Sequence, residues 1–200
     1  MRSKQIHHIL NPEEFKQQLL LWSQQFDVVV WLDSNNYSDH QLQYDAILAV
    51  GEFTSIQTDY ENAFDRLKEY QSITNDWIFG YLTYDLKNDV EDLKSSNFDG
   101  LGFPDLYFFQ PQKLFLLKGN TIEMHYLKAV DDEFDDIIEI KRTNTTVTHY
   151  GGEPIKIKLR IHKDEYFDKV NTMLNHIHRG DIYEANFCQE FYAEASFINP

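Results

Sequence analysis

An α+β fold, a mostly antiparallel sheet with packed helices, is what the sequence predicts, and three observations predict it. Apolar residues recur at helical spacing in a few short segments. Runs of strand length, rich in β-branched and aromatic residues, lie between them. The two longest such runs are joined by Gly119-Asn120, a tight hairpin turn. At 42% hydrophobic and 15% aromatic, the 200 residues have ample material for a core.

The elements follow in order. Asn11-Pro12-Glu13-Glu14 is a helix start, with a capping Asn, Pro at the first helical position and Glu14 three residues after the cap. Phe15, Leu19, Trp22 and Phe26 then share one face of a helix near 12–26. Asp27 to Leu32 reads as a buried strand, Ser34 to Asp39 as a loop, and Ala46 to Val50 as a strand closed by Gly51. A helix near 61–72 carries Phe64, Leu67 and Tyr70 on a stripe. Trp77 to Tyr84 is apolar almost throughout, as a central strand is, and its Gly80 signals the close approach of a backbone or ligand. Leu106 to Leu127 reads as two long antiparallel strands.

From Asp131 the texture becomes charged and polar, an acidic helix or loop and then a linker ending near Pro154. Ile155 to Ile161 alternates like a half-buried strand. A helix follows, with Tyr166, Val170, Met173, Leu174 and Ile177 on one face and Gly180 just past its end; Ile182 to Tyr192 starts another strand. The boundaries expected are therefore a first domain at 1–130, a linker at 131–154 and the beginning of a second domain at 155–200. That last stretch is too small to fold alone and reads as an incomplete half.

A net charge of −15 argues against nucleic acid and against an anionic membrane surface as partners. No apolar run reaches the roughly 18 residues of a spanning helix, the amino terminus lacks a secretory signal, and one cysteine, Cys188, fits a reducing cytoplasm. Conventional catalytic patterns are missing. His7-His8 and His176/His178 have the wrong spacing for a shared helical face, and Cys188 reads as a small core residue of an apolar strand. The acidic groups at Asp131 to Asp136 and at Asp85, Asp89, Glu91 and Asp92 read as solvated surface. Two stretches stand out. Trp31-Leu32-Asp33-Ser34 sets a carboxylate and a hydroxyl beside an aromatic at a strand end, a mixture suited to an amino acid or simply to a strand-end turn. Gly180 to Phe187 joins a helix end to a strand, alternating Tyr183, Ala185 and Phe187 with Glu184 and Asn186.

The run H-I-H-R-G-D-I-Y-E-A-N-F-C-Q-E-F, His176 to Phe191, resembles the opening motif of the chorismate-binding domain shared by the component I subunits of anthranilate and aminodeoxychorismate synthases and by isochorismate and salicylate synthases. W-L-D-S, then Tyr44-Asp45, then F-G-Y-L-T-Y-D-L at Phe79 to Leu86 are similar to the amino-terminal domain of the first two. W-L-D-S-N-N-Y and the F-P-D-L-Y-F-F-Q-P segment, Phe103 to Pro111, most resemble the aminodeoxychorismate (para-aminobenzoate) synthase component I group.

The resemblance implies a subunit that replaces the 4-hydroxyl of chorismate by an amino group on the route to folate, with ammonia from a glutamine amidotransferase subunit and Mg2+ on the substrate carboxylate. The family's catalytic lysine, acid/base glutamate and metal-binding glutamates belong to motifs without a counterpart in residues 1–200. They are expected beyond Pro200, and these residues alone are expected to be inactive. A tryptophan pocket carries over at Leu32, Asp33, Ser34, Gln43 and Tyr44, with Asp33 one methylene shorter than the family's Glu and Gln43 in place of a basic residue. The chorismate-domain motif carries over at Gly180, Asp181, Tyr183 and Asn186. The rival readings are anthranilate synthase component I and a non-catalytic binding module.

Overall fold

The computed structural model describes residues 1–37, 43–94, 98–145 and 155–196. The chain divides into two compact units, Met1–Thr146 and Val147–Pro200. In the first, the elements are β1 (Arg2–His8), α1 (Pro12–Ser23), β2 (Val29–Asp33), β3 (Ala46–Thr58), α2 (Ala63–Thr74), β4 (Phe79–Leu82), the short α3 (Lys87–Val90) after a 3-10 turn, β5 (Leu106–Lys118), β6 (Thr121–Leu127) and α4 (Asp136–Arg142). The strands form one antiparallel sheet in the order β1-β6-β5-β3-β2, with β4 also paired to β5. The α+β architecture is the one the sequence predicts.

Local chemistry sets the ends of α1 and the β5–β6 hairpin. The Asn11 side chain accepts the Glu14 amide and Pro12 opens the helix. Gly119 takes φ +52° at the turn, a left-handed value that glycine adopts without strain. Phe15, Leu19 and Trp22 of α1 bury against Leu48, Val50, Phe115, Leu117, Met124 and Tyr126 on one face of the sheet. On the other face Ala49, Leu114 and Leu116 pack with Phe79 and Phe109. α2 covers a third cluster, with Ala63 and Leu67 beside Leu86 and Leu106.

Several expectations are corrected. β1 was not anticipated: its polar R-S-K-Q-I-H-H run pairs in full register with β6, an edge position that leaves one side wet. β3 does not close at Gly51 but continues to Thr58 through a glycine at φ +72° and a register shift between Glu52 and Thr54, a bulge that inserts Phe53. The F-G-Y-L strand is an edge and not a centre: among the described residues it pairs with β5 alone. The approach signalled by Gly80 is that of β5 itself: a Cβ there would lie 1.9 Å from the Tyr107 carbonyl oxygen. The acidic stretch expected to open a linker places Phe134, just before α4, and Ile137 and Ile140 of α4 in the α1-side core. Of that linker, residues 146–154 lie outside the described residues.

α4 is tied down by charge as well. Lys113, almost fully buried, places its ammonium 2.6 Å from Glu133 and 2.5 Å from Asp136. It also lies over the rings of Trp22, Phe26 and Tyr126. Tyr126 donates to the same Asp136 at 2.8 Å. Burial, then the nearby Asp136 carboxylate, pushes the Tyr126 phenol far above its ordinary range.

The gap between β4 and β6 along β5 is filled by Arg2. Its guanidinium donates to Asp76 at 2.9 Å and to the carbonyls of Pro111 (2.6 Å), Gln112 (3.3 Å) and His125 (3.0 Å). Asp76 also accepts from Gln110 (2.7 Å) and from the Trp77 amide (2.8 Å). Burial raises the Asp76 carboxyl, but hydrogen bonds from Arg2, Gln110 and Trp77 outweigh it and hold the group below the ordinary carboxylate value. A depressed folded pKa contributes stability that is present above the unfolded value and lost as pH falls through the folded one. Arg2→Ala should therefore lower unfolding stability by about 3 kcal/mol in urea titrations at pH 7. Asp76→Asn should flatten the loss of stability that the wild type shows on acidification below about pH 4.

Candidate functional site

The W-L-D-S segment ends β2, an edge strand paired with β3 so that Leu32 opposes Ile47 and Asp33 opposes Ala46. Strand alternation sends Trp31 and Asp33 toward α1 and Val30 and Leu32 to the opposite face. Asp33 meets Lys16 of α1 at 3.3 Å and accepts the Asn35 amide at 2.8 Å, forming an Asx-type turn. Asn35 and Asn36 follow at φ +51° and +59°, a left-handed pair that asparagine tolerates. The Ser34 amide donates to the Asp45 carbonyl at 2.9 Å, and the Asp45 carboxylate accepts the Gly119 amide at 2.6 Å.

Beside these contacts lies a half-open cavity of about 360 Å³ between the start of α1 and the ends of β2 and β5, lined by Glu13, Lys16, Ser34, Tyr37 and Asp45 among others. The structure thus brings Asp33 and Ser34 together with Lys16. Leu32, half exposed, and Tyr44, packed beside Ala49 and Leu114, belong to the other face of the sheet; Gln43 is exposed and donates to the Tyr44 hydroxyl at 3.3 Å. Lys16 was missed by sequence reasoning. The available signal was its place one residue past Phe15, at the margin of the apolar stripe of α1, where a lysine needs an acceptor to be buried.

In the second unit the elements are β7 (Lys158–Leu159), α5 (Lys163–Arg179) and β8 (Phe191–Tyr192). The strands expected at Ile155–Ile161 and Ile182–Tyr192 shrink to a two-residue ladder, because a strand is held only where a neighbour meets its backbone. Arg160 pairs with Glu190 and lies 3.9 Å over the Tyr192 ring. No residue of α5 is buried: Tyr166, Val170, Met173 and Ile177 are half-covered and Leu174 is exposed.

The G-D of the motif at the end of α5 is explained by helix termination. Gly180, at φ +84°, donates to the Ile177 carbonyl and Asp181 donates to that of His176, a Schellman arrangement. The Asp181 carboxylate accepts from Arg179 and, at 2.7 Å, pairs with His176. Arg179 first, and then His176, lower its pKa. Tyr183 and Asn186 project into solvent, and a shallow cavity of about 370 Å³ lies beside Ile177, Gly180 and Tyr183. Cys188, expected in the core of a strand, is instead an exposed free thiol ahead of the two-residue β8. Among the described residues no group of three His, Cys, Asp or Glu side chains is close enough to hold a metal ion. None of the described helices is long and apolar enough to cross a membrane.

Comparison with known proteins adds two findings. A family profile described as chorismate binding enzyme matches residues 27–200. A Synechocystis protein named anthranilate synthase component I-like protein is 25% identical over 135 residues, 66% of this chain and 27% of its own length, so the chain spans about a quarter of that relative.

The Lys16–Asp33 pair is testable by a double-mutant cycle. Lys16→Met leaves Asp33 without its cation and should cost about 1–3 kcal/mol. Adding Asp33→Asn should recover part of that loss, with a coupling of about 1–2 kcal/mol in urea unfolding.

Proposed function

The chain belongs to the family of chorismate-binding enzymes, and from that premise we propose that it is the amino-terminal part of a chorismate-aminating subunit. The reaction exchanges the 4-hydroxyl of chorismate for the nitrogen of ammonia: a C–N bond forms, the C–O bond breaks and water leaves, giving 4-amino-4-deoxychorismate. The observation that carries the reading is the family match running through both units as far as residue 200, with the His176–Phe191 motif inside it. The W-L-D-S-N-N-Y and F-P-D-L-Y-F-F-Q-P segments support amination at C4.

Chorismate is a dianion and hydroxide a poor leaving group, so the reaction asks for a cation on the carboxylate and an acid at the departing oxygen. We assign Mg2+ to the first task and place its ligands, with the reacting lysine and glutamates, outside residues 1–200. Ammonia comes from a glutamine amidotransferase subunit, and the assembly works in the cytoplasm, where the lone Cys188 stays reduced. The half-bare apolar stripe of α5 is the face on which the remainder of the chorismate-binding domain packs. A second reading, anthranilate synthase component I, is favoured by the name of the Synechocystis relative.

Full-length protein given chorismate, an ammonium salt and Mg2+ should yield 4-amino-4-deoxychorismate on chromatography. Anthranilate in its place would establish the second reading, and neither product would overturn both. Residues 1–200 by themselves should show no turnover. We assign the first unit a structural, non-regulatory tryptophan pocket reduced to Asp33 and Ser34 beside Lys16, since Leu32 and Tyr44, with Gln43 bonded to it, stand on the other face of the sheet. Calorimetry on the full-length protein should register tryptophan binding that Ser34→Ala weakens by about ten-fold, the size of one lost hydrogen bond; no heat from either protein removes the pocket.

A further inference from the structure

Strand β4 and the part of β5 it pairs with carry a continuous row of aromatic rings. Trp77 stacks on Phe79 at 6.1 Å, Phe79 meets Phe109 at 6.5 Å, and Tyr107 follows at 6.0 Å. Tyr81 then contacts both Tyr107 and Phe103 at 6.0 Å. The middle of the row, Phe79 and Phe109, is buried, but Trp77 is 41% exposed, Tyr81 37% and Phe103 62%.

The same strand has an open side. Among the described residues β4 is paired with β5 alone, and Gly80, Tyr81 and Leu82 are exposed. Edge strands are normally blunted by a lysine, a proline or a bulge. F-G-Y-L carries none of these, whereas β1, another edge, has Lys4 and two histidines. An unblunted, uncharged edge beside an aromatic face is the geometry that accepts one more strand.

Charge decides whose strand. At −15 per chain, two copies joined edge to edge bring like charge together. The row of rings also touches a carboxylate: Tyr107 donates to Glu52 at 2.6 Å, and Ser55 donates to the other carboxylate oxygen at 2.8 Å. Aromatic faces beside a carboxylate attract a guanidinium or an ammonium group. We propose that the outer edge of β4, with the Tyr81 and Tyr107 rings and Glu52, is a docking surface for an extended basic segment of a partner protein. The segment adds to β4 as a further strand and lays an arginine or lysine over the rings toward Glu52. This surface is independent of the reaction assigned to the family, and it survives if that assignment fails.

The probe is a pair of labelled peptides, acetyl-(Arg-Val)3-amide and acetyl-(Glu-Val)3-amide, titrated by fluorescence anisotropy into the full-length protein. Hydrogen–deuterium exchange reads the 79–82 amides in parallel. The basic peptide should bind at least about ten-fold more tightly, lose affinity as salt is added and protect 79–82. Tyr81→Ser and Glu52→Gln, both at exposed positions, should each weaken it by about three- to five-fold with unchanged circular dichroism. Equal binding of the two peptides, or protection confined to other segments, overturns the proposal. So does a dimer in sedimentation equilibrium whose 79–82 amides are protected without peptide, which would make a second copy the occupant.

Discussion

One strand with two neighbours on the same side organises the first unit. β5 gives residues 113–118 to β6 and residues 106–109 to β4 along one edge, and β3 runs beside it on the other. Between the two neighbours no described strand meets that edge of β5 at Pro111 and Gln112, and buried carbonyls without donors are costly. Arg2 supplies the donors, and Asp76 and Gln110 hold Arg2. The second residue of the chain thereby decides where β4 starts, and β4 in turn sets the aromatic face. A fan of five fixed guanidinium N–H bonds suits this task better than a lysine ammonium.

Much of this was legible as local chemistry and little of it as pairing. The cap at Asn11, the turn at Gly119-Asn120 and the stop at Gly180 each follow from what one or two residues permit their own backbone. β1 was not legible, because a polar edge strand is specified by the neighbour that accepts it and carries no hydrophobic period. The strands read at 155–161 and 182–192 fail for the converse reason: their alternation is real, but most of it meets no partner backbone. At the candidate site, Asp33 and Ser34 could be read from the sequence, since a strand end with those side chains is conspicuous. Lys16 left only the faint signal of its place at the margin of the α1 stripe, since its burial depends on meeting Asp33 at the end of β2.

The two units differ in what they complete. In the first, apolar residues from three helices and five strands close three clusters, and even the acidic stretch leading into α4 contributes Phe134 to the core and Glu133, with Asp136 of α4, to Lys113. In the second, a seventeen-residue helix has no buried residue. The polar groups of its motif are largely occupied with ending that helix: the Asp181 carboxylate is committed to Arg179 and His176. A motif shared with a catalytic family can thus describe how a chain turns and not which atoms react.

The tight seating of β4 on β5 bears on how variants of this protein will be interpreted. With a carbonyl oxygen 1.9 Å and an α-carbon 2.7 Å from where a methyl group would stand, position 80 has no room for even alanine. A survey of tolerated substitutions would single it out as sharply as any reacting group. Its intolerance would report steric exclusion alone, and a search for chemistry at that locus would be misdirected.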